Sequence, residues 1–473
     1  MPGDKVLSHF LGGKFALRVF DVVSLKTVAP RTLTVSIIII YDVVMFADDV
    51  KFSPWWWEAA PRRTACAARL PIKADVVIIG AGFTGLSAAL TLARAGREVV
   101  VLDEQDAGFG ASTRNGGQVG PGNQKFSVDE LTQRFGQQKA KALMLEGNVM
   151  LEYIKSLIER ENIECHFKQV GRFRGAWRAK HYDSMARTLE SMQRFIDTEF
   201  FMVPKPEQHT EIGSEFYHGG SVLPNDVSLH PGLYHQGLFD RAQQAGATIL
   251  PFTPALNIET SSSSLSVKTA KGTIKTGDCI VATNGYTSRA LRWHHLRIVP
   301  VGSAIIATEE IEPQLMTELM PKQRMMGETR RVFNYYRPSP DGKRILMGGR
   351  YGYGNQNNTR CFTHLYEDIL RLFPQLKGTK VTHCWSGKLG YTFDGHPHLG
   401  KHEGVHYAMG YCGTGVSRST YFGHKIALKV LSDPEGITPF DDIDFRTSTF
   451  YTGSPWMVPI IETWERFRDA TNV

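Results

Sequence analysis

Val76-Val77-Ile78-Ile79-Gly80-Ala81-Gly82-Phe83-Thr84-Gly85 decides how this chain is read. An unbroken apolar run meets three glycines in the spacing GxGxxG, and the stretch from Leu86 to Ala95 behind them is rich in helix formers, with Gly96 placed as its C-cap. A second apolar run, Glu98 to Leu102, ends at Asp103. Strand, tight turn, helix and strand within about thirty residues form a parallel βαβ crossover. In that setting Gly80 permits the tight turn, Gly82 lets the backbone approach a pyrophosphate, and Gly85 lets the helix lie close on the strand. The helix N-terminus favours the phosphate charge. Asp103 ends the second strand, where a carboxylate accepts hydrogen bonds from both ribose hydroxyls of an adenosine. The expectation is a dinucleotide site.

Working outward, 473 residues allow about two to three domains or one large α/β domain with a second built into it. A hydrophobic fraction of 42% with 21% charged residues excludes a chain disordered in bulk. Of the +7 net charge, residues 1–73 carry more than half, with ten basic and six acidic side chains, so the remainder is too nearly balanced to argue for nucleic acid. Cys66, Cys165, Cys279, Cys361, Cys384 and Cys412 are scattered without a CxxC pair, which fits a reducing cytoplasm and no structural metal. The longest apolar run, Leu33 to Phe46, is broken by Thr34, Ser36 and Asp42 and is shorter than the ~18–20 residues of a membrane span. Residues 1–50 read as an extension. Lys5, Lys14, Arg18, Lys26 and Arg31 give it a basic character that Asp4 and Asp21 interrupt, and Met45 is an alternative start.

Helical patterns are expected over Val128–Ile163 and Lys180–Asp197, and over Gly232–Ala245 behind His230 and Pro231. Strands are expected over Gln169–Arg178 and Ile298–Ala307. A hairpin runs Val332–Arg337 through Pro338–Gly342 into Arg344–Gly348. Thr248–Val281 holds a β-meander, and a last strand, Val405–Met409, runs through glycines into a helix, Arg418–Leu431.

Two further glycine-dense segments separate a flavin from a nicotinamide. Gly108-Phe109-Gly110-Ala111-Ser112-Thr113-Arg114-Asn115-Gly116-Gly117-Gln118 follows the acidic strand end, where it can wrap phosphates and pass close to a flat ring. Gly410-Tyr411-Cys412-Gly413-Thr414-Gly415-Val416 is a second strand-to-helix turn whose amides and dipole can stabilise negative charge on a reduced flavin. Here the chain resembles the D-amino-acid-oxidase-like superfamily of FAD enzymes, and within it the γ-glutamylputrescine oxidoreductase group. The likeness extends from about residue 51 to the end and includes Trp56-Trp57-Glu58-Ala59. It implies that Gly80, Ala81, Gly82, Phe83, Thr84 and Gly85 hold the pyrophosphate of FAD and that Asp103, with Glu104, holds the ribose. It further implies that Ala111, Ser112 and Arg114 contact phosphate or ribityl groups and that Asn115, Gly116, Gly117 and Gln118 approach the isoalloxazine. Ala255 and Ala282 would contact the nucleotide through their backbone, and Gly413, Thr414, Gly415 and Val416 would face the flavin.

The resemblance implies an α/β fold with a Rossmann-like FAD-binding domain assembled from residues 51–165, 226–297 and 381–473. A substrate domain on an antiparallel sheet would comprise residues 166–225 and 298–380. Relatives acting on free α-amino acids place a carboxylate-clamping arginine where Leu389 stands here, beside Lys388, and those linking FAD covalently use a cysteine where Gly387 stands. The expectation is therefore non-covalent FAD and oxidation of a small-molecule amine, with oxygen or another compound as electron acceptor. Tyr336, Arg337 and Lys388 are the candidates for substrate contact and catalysis; of Tyr335 and Tyr336, alternation lets at most one enter the pocket. An amino-acid oxidase or dehydrogenase of the same superfamily and an NAD-dependent Rossmann dehydrogenase are the alternatives. The lysine that some oxidase relatives hold near the flavin corresponds to Leu346.

Overall fold

The computed structural model describes residues 45–62, 69–261, 264–350 and 359–471, so residues 1–44 of the expected extension and Cys66 lie outside the described part. In chain order, the elements that build the site are β1 (Phe46–Lys51), β2 (Lys73–Ile79), α1 (Phe83–Arg94), β3 (Val99–Leu102), β4 (Arg172–Gly175), α2 (Pro231–Gln244), β5 (Gly272–Val281), β6 (Val299–Thr308), β7 (Met325–Glu328), β8 (Asn334–Pro338), β9 (Ile345–Gly349), β10 (Val381–Tyr391), β11 (Val405–Met409) and α3 (Gly415–Val430).

β2 is apolar without alternation because both of its faces are covered. Val76 and Ile78 are buried on the side of Leu86 and Phe422, while Val77 and Ile79 are buried on the side of Cys279 and Met409. Each such Val or Ile contributes about 1.5–3 kcal/mol by leaving water. β2 pairs in parallel with β3 and with β5, and β5 pairs in parallel with β11, which brings the ends Ile79, Leu102, Val281 and Tyr407 to one edge. That edge carries the turns into α1 and α3, so the glycine segments, more than three hundred residues apart in the sequence, meet there. The two helices lie close enough that a Cβ at Gly423 would stand 2.3 Å from Thr84 O.

Among the described residues the second sheet has nine strands, in the order β1-β10-β6-β9-β8-β7-β4, then Gly220–Leu223 and Phe201–Val203. Most neighbours are antiparallel, but β1 with β10 and β7 with β4 pair in parallel. Phe173, Ile306, Met326, Tyr336 and Cys384 share a core on one face. The opposite face carries Arg174, Ser303, Gly327 and Tyr335 and lines a cavity.

The sheet departs from the sequence reading in two places. β10, which the resemblance placed in the nucleotide domain, pairs with β6 from Val299↔Tyr391 to Thr308↔Val381 and so belongs to the nine-stranded sheet. Met45 to Val50, placed in the extension, lead into and form most of β1, with Met45 fully buried in that sheet's core. The helical stretch from Val128 breaks at Gly136, which adopts φ +78° between Val128–Phe135 and Gln137–Arg160. Among the described residues no helix is long and apolar enough to cross a membrane.

Candidate functional site

Gly80 adopts φ +108°, a conformation that L side chains rarely take, and a Cβ there would lie 2.9 Å from Ala282 O. A Cβ at Gly85 would lie 1.8 Å from Gly80 O, so α1 starts in direct contact with the turn. Gly82 lines the cavity and has an ordinary φ of −86°; the atom nearest its absent Cβ is Ser112 Oγ, at 2.8 Å. Ser112 Oγ accepts from Phe83 N–H at 2.9 Å and so caps α1.

Asp103 Oδ2 accepts from Ala81 N–H at 2.8 Å and Oδ1 from Gln105 N–H at 3.0 Å, but burial dominates and raises its pKa to about 6. His235 holds the turn from behind: burial lowers its pKa to about 4, so the neutral ring donates from Nε2 to Ala81 O at 2.8 Å.

Three indoles fix the second glycine segment. Trp56 Nε1 donates to Asn115 O, Trp57 Nε1 to Thr113 Oγ1 and Trp385 Nε1 to Arg114 O, at 2.8–2.9 Å. Asn115 folds back onto its own loop, donating to Ala111 O and Ser112 O and accepting from Gly117 N–H. Gln118 donates to Tyr336 O at 3.0 Å, tying the loop to β8. Arg114 lines the cavity, but its guanidinium donates to Phe109 O and Ser386 O and lies 4.6 and 4.9 Å from the centres of the Phe109 and Trp57 rings. It braces the loop against β10, where the resemblance implied a phosphate or ribityl contact.

The third segment is bound to the first. Tyr411 Oη and Thr84 Oγ1 are 2.7 Å apart, and Asn284 Oδ1 accepts from Gly410 N–H at 2.9 Å. α3 begins at Gly415, three residues before the expected Arg418, so Gly413 and Thr414 stand at its N-terminus. Cys412 is buried with φ +52° and its Sγ lies 3.2 Å from Gly410 O.

These segments wall a cavity of about 570 Å³. Of the expected cofactor residues, Gly80, Gly82, Phe83, Thr84, Asp103, Glu104, Ala111, Ser112, Arg114, Asn115, Gly116, Gln118, Ala255, Ala282, Gly413, Thr414, Gly415 and Val416 line it, while Ala81, Gly85 and Gly117 stand behind the wall. A cradle with no side chain at Gly82, the N-termini of α1 and α3, and a carboxylate at the end of β3 suit the phosphates, the flavin edge and the ribose of FAD. The position of the covalent link, Gly387, carries no nucleophile, and Cys384 is fully buried on the other face of β10.

The substrate-side expectations need correction. Tyr336 is fully buried in the core, with its hydroxyl 3.1 Å from that of Tyr217, and burial raises both phenols. Tyr335 is the residue that lines the cavity; its hydroxyl is 3.0 Å from Ser303 Oγ, and a Cβ at Gly116 would lie 2.9 Å from its ring. Arg337 also stands outside the lining. Its Nη1 donates to Gly117 O and Leu229 O, both at 2.9 Å, and its Nε to Pro338 O, so it clamps the loop and is not placed for a substrate carboxylate. Lys388 borders the cavity but is exposed over the Tyr286 ring, at 5.6 Å, on the opposite strand face from Leu389 and Tyr391.

Sequence reasoning misses four cations in the wall, Lys125, Arg172, Arg174 and Arg350. Lys125 donates to Gly395 O at 2.7 Å, lies 5.2 Å from the Tyr391 ring centre and is pushed below its usual pKa by burial. Only the Arg172-Phe173-Arg174 alternation carried a signal, with Phe173 facing the core. His230 accepts from Leu233 N–H and caps α2, and among the described residues no group of three His, Cys, Asp or Glu is placed to hold a metal.

Two glycine cradles, two helix N-termini and a carboxylate at the end of β3 around one cavity suit a flavin-nucleotide oxidoreductase. The chain belongs to the FAD dependent oxidoreductase family DAO, which it matches over residues 75–428, and it is an FAD-dependent enzyme of that family. It is 31% identical over 375 residues to the probable oxidoreductase OrdL of Haemophilus influenzae, covering 78% of this chain and 86% of that one. It is 30% identical over 377 residues to the gamma-glutamylputrescine oxidoreductase of Escherichia coli, covering 79% and 87%. The crystal structure of glycine oxidase from Geobacillus kaustophilus superposes with a TM-score of 0.66 at 22% identity, covering 80% of this chain and 99% of that one, which shows the shared fold.

Proposed function

We propose that this enzyme oxidises the C–N bond of an amine that carries its carboxylate far from the reacting carbon, as a γ-glutamylated diamine does. The observation that carries the reading is Leu389, which faces the cavity at the position where relatives acting on α-amino acids hold a clamping arginine. The likeness to gamma-glutamylputrescine oxidoreductase supports it.

The glycine segments and Asp103 would hold FAD without a covalent link, and FAD bound there would supply the two-electron acceptor for oxidation of an amine C–N bond to an imine, which water hydrolyses. Tyr335, Phe333 and Tyr391 give the cavity aromatic walls against which an alkyl amine packs. Lys125 and Arg350 place positive charge beside it, which disfavours the ammonium form and so supplies the lone pair that hydride departure needs. The N-terminus of α3 would offer its dipole to negative charge on a reduced flavin held in the cavity. Leu346, packed with Trp56 and Trp385, stands where some oxidase relatives hold a lysine near the flavin, and the final acceptor is oxygen or another compound. The five described cysteines are free and buried, which fits a cytoplasmic protein.

The test is turnover of the purified, flavin-loaded chain on γ-glutamylputrescine, putrescine, N-methyl amino acids and free α-amino acids, with the carbonyl product trapped. Product from the first in clear excess over the last supports the reading; product from α-amino acids alone overturns it.

A further inference from the structure

Behind the wall of the main cavity, and sharing Gly122 and Lys125 with it, lies a second cavity of about 30 Å³. Phe126, Leu131, Leu143, Met144 and Phe440 make most of its surface apolar. Its polar lining is one-sided. Lys125, Arg418 and His396 border it, and among the described lining residues there is no carboxylate.

Arg418 stands in the first turn of α3 and is 8% exposed. Its Nη2 donates to Gly122 O at 3.1 Å, whereas its Nε is buried and has no partner within the chain. The guanidinium is pressed against the backbone: Gly122 adopts φ +73°, and a Cβ there would stand 2.9–3.0 Å from Nη2, Cζ and Nε. Lys125 comes from the side of the main cavity and donates to Gly395 O at 2.7 Å. His396 stacks on the Phe126 ring at 4.7 Å, and its Nε2 is likewise buried without a partner. Asn123 turns its amide away, donating to Met144 O and Asn148 Oδ1. The carboxylate felt by His396 is that of Asp394, which accepts from His398 Nε2 and from His396 N–H, both at 3.1 Å. Arg134, the other charged neighbour of His396, adds positive charge and lies 4.8 Å from the centre of the Phe126 ring.

A guanidinium buried without a carboxylate is costly, and burial pushes Arg418 down to about 10. Water in the cavity would satisfy the free Nε but leave the charge uncancelled. An anion does both, because it accepts from several donors at once.

We propose that this cavity is a binding site for a small inorganic anion, of the size and charge of chloride, held between Arg418 and Lys125 with the His396 ring beside it. The volume sets the class: a water-sized species needs about 10–15 Å³ of such space, so about 30 Å³ admits a halide and is too small for an organic carboxylate. The site goes beyond the amine chemistry and is independent of which amine is oxidised. Its place gives the anion a structural task. Ser417 Oγ, next to Arg418, donates to Gly120 O at 3.0 Å, and an anion between Arg418 and Lys125 is a second tie between α3 and the loop that follows the Gly108–Gln118 segment.

The FAD-loaded full chain is melted in sodium chloride, sodium bromide and sodium gluconate at equal ionic strength, so that general screening is the same in each. The melting temperature of the wild type should rise saturably with either halide, by about 3 °C at about a hundredfold its dissociation constant, while gluconate, too large for the cavity, gives no saturable rise. Arg418→Met should lose the halide response, and Lys125→Gln should need about ten- to a hundredfold more halide for it. In wild-type crystals grown in bromide, anomalous scattering should place one bromide within hydrogen-bond distance of Arg418 Nε.

The same response to chloride and gluconate, a halide response unchanged in Arg418→Met or in Lys125→Gln, or a cavity without bromide overturns the site. Bromide that stays in the cavity of Arg418→Met is an adventitious ion only and overturns it as well. Should Arg418→Met fail to fold, Lys125→Gln and the wild-type bromide crystal decide.

Discussion

Gly82→Val and Gly85→Ala should fail in different ways, because the two glycines meet different neighbours. At Gly82 the backbone is unstrained, and the nearest atom to a new Cβ is Ser112 Oγ at 2.8 Å, the end of a side chain that can rotate. Rotation breaks the bond from Phe83 N–H to Ser112 Oγ, which costs the apoprotein about 0.5–1.5 kcal/mol. The valine methyls project where Gly82 lines the cavity, so the overpacking penalty of about 1–3 kcal/mol falls on the FAD complex and weakens binding roughly five- to 150-fold. At Gly85 a single methyl would lie 1.8 Å from a backbone oxygen, and α1 must withdraw by over an ångström, at a cost above the ordinary overpacking range. The assay is flavin-to-protein absorbance ratio together with the melting temperature of each apoprotein, since bound FAD would itself stabilise the wild type. Gly82→Val should be folded and colourless, and Gly85→Ala strongly destabilised. Full flavin in a soluble Gly82→Val, or wild-type melting in apo Gly85→Ala, would refute the placement of this turn.

FAD affinity should fall about tenfold between about pH 7.5 and pH 5. Asp103 has a pKa raised to about 6 by burial, ribose hydroxyls require its charged form, and binding at low pH must first expel a proton; Asp103→Asn should flatten that profile in a fluorescence titration of free flavin. Arg337→Met should reduce flavin retention and stability by leaving Gly117 O and Leu229 O without their shared donor, at about 1–3 kcal/mol. If instead it raises KM selectively for carboxylated amines, Arg337 contacts substrate. Acid precipitation should release the flavin into the supernatant, whereas colour in the pellet would contradict the non-covalent assignment.

The nucleotide half was legible because each of its signals is local. The Val76–Ile79 run, three glycines at fixed spacing and Asp103 specify a turn within a single crossover, and the observed strands end within a few residues of their expected limits. The supports of that turn were not legible. His235, Trp56, Trp57 and Trp385 act through hydrogen bonds to partners that lie from 56 to 271 residues away, and no spacing rule encodes such pairings. On the substrate side, alternation stated that Tyr335 and Tyr336 face opposite ways, but which face met the cavity depended on what β8 packs against. Phe373, Tyr217 and Met326 claim Tyr336 for the core. β10 was placed in the nucleotide domain by the resemblance, whereas its ladder with β6 is long-range and carries no local signal.

The central claim, an FAD enzyme that oxidises amines with a remote carboxylate, is tested most directly by anaerobic reduction of the bound flavin in a stopped-flow mixer. γ-Glutamylputrescine is compared with glycine and other free α-amino acids at equal concentration. The account predicts rapid, saturable loss of flavin absorbance with γ-glutamylputrescine and reduction at least about tenfold slower with the amino acids. The Leu389 side chain cannot donate to an α-carboxylate, and a charged hydrogen bond of that kind is worth about 1.5–3 kcal/mol. Equally fast reduction by a simple α-amino acid would contradict the claim and place a carboxylate clamp elsewhere in the cavity.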